Sequence, residues 1–164
     1  MLHTPIATFE KVSDWQFIQD SEGLMSTPQL VLEELTLPKR ATSHSAGYDF
    51  VSPVTFIIEQ GTSVKIPTGV RCRMAEDWVL VLVPRSSLGF KGLTLANTMG
   101  VIDSDYYNAD NEGHIMLKLV NNGDAPICIN EGDRIVQGIF LPYGLATEEE
   151  VKTERVGGTG SSGK

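Results

Sequence analysis

From Tyr48 onward, the apolar residues of this chain come in short runs separated by clusters of turn formers. "YDFV", "VTFIIE", "SVKI", "VRCRM", "WVLVLV", "LTLA", "HIMLKLV", "APICI" and "RIVQGIFL" are rich in Val, Ile, Leu and Phe. Between them stand "EQGT", "PTG", "NNGD" and "NEGD", whose Gly, Pro, Asn and Asp residues favour turn backbone. The spacing predicts strands. Helical periodicity is absent beyond a turn or two around Ser86–Lys91 and a short piece at "ATEEEV". Short strands at regular intervals predict an all-β domain: a sandwich, a jelly roll or a small barrel. The first forty residues are harder to read. "FEKVS" suits a short strand, while "PQLVLEELTLPKR" mixes apolar and acidic residues until Pro38 ends whatever precedes it.

Length and charge narrow the picture. At 164 residues the chain suits one domain with a substantial core. Neither a repeat nor a linker divides it, so residues 1–154 read as the domain and residues 155–164, rich in Gly and Ser, as a mobile arm. A net charge of −8 argues against binding bulk nucleic acid, which needs a basic surface, but leaves room for a small anion in a local basic pocket. "MLHTPIATFE" lacks the basic and apolar regions of a signal peptide, and no apolar run reaches membrane-spanning length, so a cytoplasmic location is expected. Cys72 and Cys128 lie far apart with no C-x-x-C spacing, which favours two reduced, buried thiols and leaves a disulfide open.

Five patches are out of place in a plain β domain. "AGYD" puts Asp49 at the mouth of a strand, and "PRSSLGFKG" gathers Arg85, Ser86, Ser87 and a lysine as an anion site would. "NTMGVIDSDYY" sets an amide, acids and two tyrosines on what reads as a hairpin. "EGDRIVQG" puts Gln137 on the same strand face as Ile135 and Ile139, awkward for an amide without a partner. The fifth is the tail, "RVGGTGSSGK", which contains G-x-x-x-x-G-K. A P-loop needs a following helix and a Ser or Thr after the Lys, and the sequence supplies neither. Singly, each patch has an ordinary reading as a cap, a surface loop or a solvated hairpin. All five in this order do not.

With "AGYD", "PRSSL", "GVIDSDYY", "GDRIVQ" and the glycine-rich tail in order, the chain from about Leu37 onward resembles the all-β, homotrimeric deoxyuridine triphosphatases (dUTP diphosphatases) of phage or bacterial type. The resemblance implies a distorted jelly roll of the β-clip kind, with a glycine-rich arm. It implies hydrolysis of dUTP to dUMP and pyrophosphate with magnesium, in sites shared between chains. Asp103 matches the residue that activates the attacking water. Arg85, Ser86, Ser87 and Gln137 match phosphate contacts, and Asp49 matches the carboxylate that meets the metal through water. Asn97, with Gly100, Val101 and Ile102, matches the uracil-reading wall, Met116 matches a further substrate contact, and Tyr106 matches the ring under the deoxyribose. Arg155, Gly158, Thr159 and Ser161 match the arm that closes over a neighbouring site. Thr159 departs from the arm's usual Phe, and "YNADNEG" is longer than the usual tight turn and reads as a longer hairpin tip. The competing readings are a deoxycytidine triphosphate deaminase relative, or a protein that keeps the fold to bind a regulatory partner.

Overall fold

The computed structural model describes residues 4–147 and residue 157. The chain opens with β1 (Ala7–Lys11), α1 (Asp14–Asp20) and α2 (Pro28–Glu34). Strands β2 (Lys39–Arg40), β3 (Tyr48–Val51), β4 (Phe56–Ile58), β5 (Ser63–Pro67), β6 (Val70–Met74) and β7 (Trp78–Pro84) follow. A short helix α3 (Ser86–Gly89) leads to β8 (Leu93–Leu95) and β9 (Gly100–Ile102), and a 3-10 helix spans Ser104–Asn108. The described part of the domain closes with β10 (Met116–Asn121), β11 (Ile127–Ile129) and β12 (Arg134–Pro142). Strands β3–β8 and β10–β12 sit where the apolar runs predict them, while β2 and β9 fall outside those runs.

Two sheets carry most of the fold: a five-stranded one in the order β2-β3-β12-β7-β9, and β5-β10-β8. Between them lies a core that includes Phe50, Ile66, Leu80, Leu82, Leu117, Leu119 and Ile135. Strand β7 is flanked by β12 and β9, and its central Leu80, Val81 and Leu82 are all buried, which is why "WVLVLV" shows no alternation. On β12, Gly138 leaves room for its neighbours: a Cβ there would stand 2.8 Å from Leu80 and 3.0 Å from Phe50.

Three expectations need correction. "GVIDSDYY" is not a hairpin: β8 and β9 join different sheets, linked only by a tight turn with a bridge from Leu95 to Thr98, and the tyrosines lie on the 3-10 helix. The extended backbone of a hairpin stops at Ile102, because β9 pairs with β7 only through Gly100–Ile102. Consequently "YNADNEG" is not a hairpin tip but a helix end and turns packed on the N-terminal segment. Third, Cys72 is buried but Cys128 is exposed, since the strand period that buries Ile127 and Ile129 turns the residue between them outward. Both thiols are free. The helical reading of "ATEEEV" falls mostly outside the described residues.

The N-terminal segment forms a cap with its own small core of Val12, Phe17 and Leu32, joined to the main one through Leu35. Ser13 starts α1, its hydroxyl accepting from the Gln16 N–H at 3.1 Å, and Pro28 occupies the first turn of α2. The cap sits on the turn between β5 and β6, where Gly69 has φ +73° and a Cβ would run into Leu32 and Leu35.

Candidate functional site

Four of the motifs ride on adjacent strands of one sheet. Asp49 is on β3, Gln137 faces it across the β3–β12 pair, and Gln137 also pairs with Val83 of β7, two residues before Arg85. Gly47 of "AGYD" packs against the Gln137 side chain so closely that a Cβ would collide with it. The nearly buried Asp49 carboxylate joins the group: one oxygen meets Arg85 Nε at 3.1 Å and the other meets Arg134 Nη1 at 3.2 Å. Asp49 lies within β3 and acts first as an anchor for two guanidinium groups. Arg134 belongs to "GDRIVQ", but its part is invisible without the pairing of β3 with β12. Arg85 and Ser86 line an open cleft of about 740 Å³ with Thr94, Thr98 and Asn122. Ser86 and Ser87 are exposed on α3.

A second cavity, of about 530 Å³, gathers Asn97, Gly100, Val101, Ile102, Asp103, Tyr106 and Met116. Every residue expected to read the base and sugar, and the expected base catalyst, therefore lines one wall system. Lys65, Ala96 and Lys118 line it too and carry no motif signal; the two lysines face each other across β5 and β10. The turn before β9 is tight: Thr98 adopts φ 66°, a left-handed backbone uncommon outside glycine. Gly100 lies against Leu82, where a Cβ would come within 3.1 Å. Backbone held this closely can present N–H and C=O groups to a flat base edge. The Tyr106 ring is buried and its hydroxyl donates to the His114 carbonyl at 2.8 Å, leaving the ring as a fixed apolar wall.

The two clefts share Leu95 and Ala96, yet their charged groups lie far apart. Ile102 pairs with Leu80, so Asp103 and Arg85 sit at opposite ends of β7. Asp103 falls level with Val79, and six residue steps at about 3.3 Å separate it from Arg85 by roughly 20 Å along the strand. Arg85 is also turned toward Asp49, on the other side of the sheet from β9. Arg155, Gly158, Thr159 and Ser161 lie outside the described residues. Burial, with the charge of Glu10, pushes the Cys72 thiol up to about 12, away from the reactive thiolate form. No helix among the described residues is long and apolar enough to cross a membrane.

Comparison with known proteins bears on the same residues. The dUTPase family model matches residues 33–163. The chain is 45% identical over 133 residues to the deoxyuridine 5'-triphosphate nucleotidohydrolase of Lactococcus lactis, covering 79% of this chain and 89% of that protein. It is 39% identical over 140 residues to the enzyme of the same name from Haemophilus ducreyi, covering 80% and 89%. Among solved structures, the dUTPase of Streptococcus mutans matches with a TM-score of 0.65 at 40% identity, over 84% of this chain and 97% of that one. The dUTPase of phage phi11 of S. aureus, 20% identical with a TM-score of 0.66 over 91% and 97%, shares the fold. The chain belongs to the dUTPase family. The jelly roll expected from the resemblance is the fold it adopts.

Proposed function

We infer that this chain hydrolyses dUTP to dUMP and pyrophosphate, keeping uracil out of DNA and supplying dUMP for thymidylate synthesis in the cytoplasm. The observation that carries this reading is the single cavity that brings Asn97, Asp103 and Tyr106 together in a chain of the dUTPase family. In the reaction, water attacks the α-phosphorus in line with the departing group. The bond to the oxygen bridging the α- and β-phosphorus breaks, and pyrophosphate leaves with the electron pair. Asp103 takes the proton from the water. An ordinary carboxylate is a weak base, so much of the acceleration comes from holding the water and neutralising the phosphates.

Asn97 and the backbone from Gly100 to Ile102 read the acceptor–donor–acceptor edge of uracil. Cytosine would leave buried groups unpaired, a heavier penalty than lost contact alone. Tyr106 lies against the deoxyribose, with Met116 beside it, and leaves no room for a 2′-hydroxyl. Arg85, Ser86, Ser87 and Gln137 take the phosphates. Magnesium, carried on the triphosphate, would draw charge from the leaving pyrophosphate. Asp49, whose two oxygens are held by Arg85 and Arg134, would meet such an ion through water rather than as a direct ligand.

The site is shared in this reading. One dUTP cannot span both ends of β7, so Asp103 of one chain works with Arg85 and Ser86 of another in a homotrimer. Arg155, Gly158, Thr159 and Ser161 match the family motif that contacts the phosphates of a neighbouring site, with Thr159 where that motif has a stacking ring. The experiment that tests the function is pyrophosphate release from dUTP, dCTP, dTTP and UTP. Turnover confined to dUTP is expected; equal turnover of dCTP or UTP would overturn the assigned roles of Asn97 and Tyr106.

A further inference from the structure

Two features stand apart from the family pattern: the N-terminal cap, almost all of it before the matched span, and the long segment after Tyr106. The structure makes them partners. Three contacts join them, and each falls on the stretch that follows the cavity-lining residues Asp103 and Tyr106.

The first centres on Tyr107, whose hydroxyl donates to Glu10 at 2.7 Å and accepts from Arg73 at 2.8 Å. The guanidinium groups of Arg71 and Arg73 stand 4.6 and 4.8 Å from its ring centre. In the second, Ser13 donates twice to the Glu112 carboxylate, from its N–H at 2.8 Å and from its hydroxyl at 2.6 Å. Glu112 has φ 57°, a strained backbone for this residue type that persists only where its surroundings hold it. The third is His114, which is fully buried. Its Nε2 accepts from the Gly69 N–H at 2.8 Å, which assigns the ring proton to Nδ1. Nδ1 then donates to Asp20 at the end of α1, at 2.6 Å, and Gln16 donates to the same carboxylate oxygen at 2.7 Å.

The contacts converge on the cavity. The His114 carbonyl receives the Tyr106 hydroxyl at 2.8 Å, and Asn111 Nδ2 donates to the Tyr106 hydroxyl at 2.9 Å and to the His114 carbonyl at 3.2 Å. Two residues beyond His114, Met116 lines the same cavity. We propose that the N-terminal cap is a positioning element for the nucleoside wall, with Glu10, Ser13 and Asp20 clasping residues 107–114 so that Tyr106 and Met116 are fixed before substrate arrives. Asp20 and His114 act through Tyr106 and touch no substrate; they are positioning residues. The inference rests on the reading that Tyr106 abuts the deoxyribose. A wall that must refuse a single hydroxyl works only if it is held to a fraction of an ångström, and the turns after Tyr107 supply little of that stiffness themselves.

The test compares full-length Asp20→Ala and the double variant Ser13→Ala/Glu112→Gln with Ile129→Val, a core change on β11 remote from the cavity that serves as a stability reference. Tyr106→Ala reports on the wall itself. The clasp variants should raise KM for dUTP about fivefold or more while kcat stays within about twofold, and should narrow the preference for dUTP over UTP. The reference variant should leave both unchanged. The double variant loses the Glu112 bonds and the α1 cap at Ser13 but no core packing, so it remains informative if Asp20→Ala does not fold. Hydrogen exchange gives a second readout: a non-hydrolysable dUTP analogue should slow amide exchange in residues 14–21 as well as 106–114 of the wild type, and in 106–114 alone of the double variant. Clasp variants that match Ile129→Val in KM and selectivity, with no protection of residues 14–21 in the wild type, overturn the proposal. If Tyr106→Ala leaves selectivity unchanged while residues 14–21 are protected, the clasp stands and the sugar-wall reading fails.

Discussion

In the proposed reading, the two ends of β7 solve different problems with different materials. At the Pro84 end, Asp49, Arg85, Arg134 and Gln137 are brought together by neighbouring strands, and short ion pairs hold the charges in place. At the Ile102 end one carboxylate, an amide and a buried ring line the cavity, and the ring is held from behind by backbone and by a cap nearly a hundred residues away in sequence. Phosphate is a large charge that a sheet can meet with a few arginines. A uracil–deoxyribose surface is nearly neutral, so selecting it depends on the exact shape of a wall, and shape needs backing from outside the sheet.

The largest effect is expected at Asp103. Asp103→Asn should lower kcat by about 10²–10⁴-fold, while affinity for a non-hydrolysable dUTP analogue stays within about threefold. Comparable turnover in the variant would remove Asp103 from the chemistry. Asp49→Ala comes next. With its anchor gone, Arg85 should lose its fixed direction, and kcat/KM should fall on the order of ten- to a hundredfold. Selectivity for dUTP over UTP should survive, because that property belongs to the other end. A loss of sugar selectivity in Asp49→Ala would join the two ends that the geometry separates.

A smaller, pH-dependent effect belongs to the cap. Burial works against ionisation of Asp20, but hydrogen bonds from His114 and Gln16 and the charge of Lys65 outweigh it and hold its carboxyl below the ordinary range. Burial likewise opposes Glu112, and the Ser13 hydrogen bonds overcome it. Both groups therefore ionise more readily folded than unfolded. Their stabilisation is complete above the ordinary carboxylate range and fades as pH falls through the lowered values. Between about pH 5 and about pH 3, wild-type Tm should drop a few degrees more than that of Asp20→Asn/Glu112→Gln, measured by thermal unfolding. Parallel pH curves would mean that these bonds contribute no net stability.

Both ends were legible in the sequence as candidate sites because each motif is local. "WVLVLV" announces a strand, and "PRSS" and "GVIDSDY" each put their candidate residues within a few positions. The cap was not legible, for a physical reason. Its contacts join residues 94 to 99 positions apart, so no spacing within the chain encodes them. Its helices are seven residues each, too short to show a period. Local signals were nonetheless present: Ser13 with Gln16 has the spacing of a capping box, and Thr27-Pro28 is a helix start. Arg134 stood inside a recognised motif, but its role follows only from the cross-strand meeting with Asp49.

The central claim is that the two ends of β7 in one chain serve different nucleotides, so that each site needs Asp103 from one chain and Arg85 from another. Asp103→Asn and Arg85→Ala proteins, each nearly inactive alone, test it when they are mixed in equal amounts and allowed to exchange subunits. With random assembly, about a quarter of the sites receive both intact residues, and pyrophosphate release should recover to about that share of the wild-type rate. Confirmed exchange of subunits with no recovered activity would contradict the shared site.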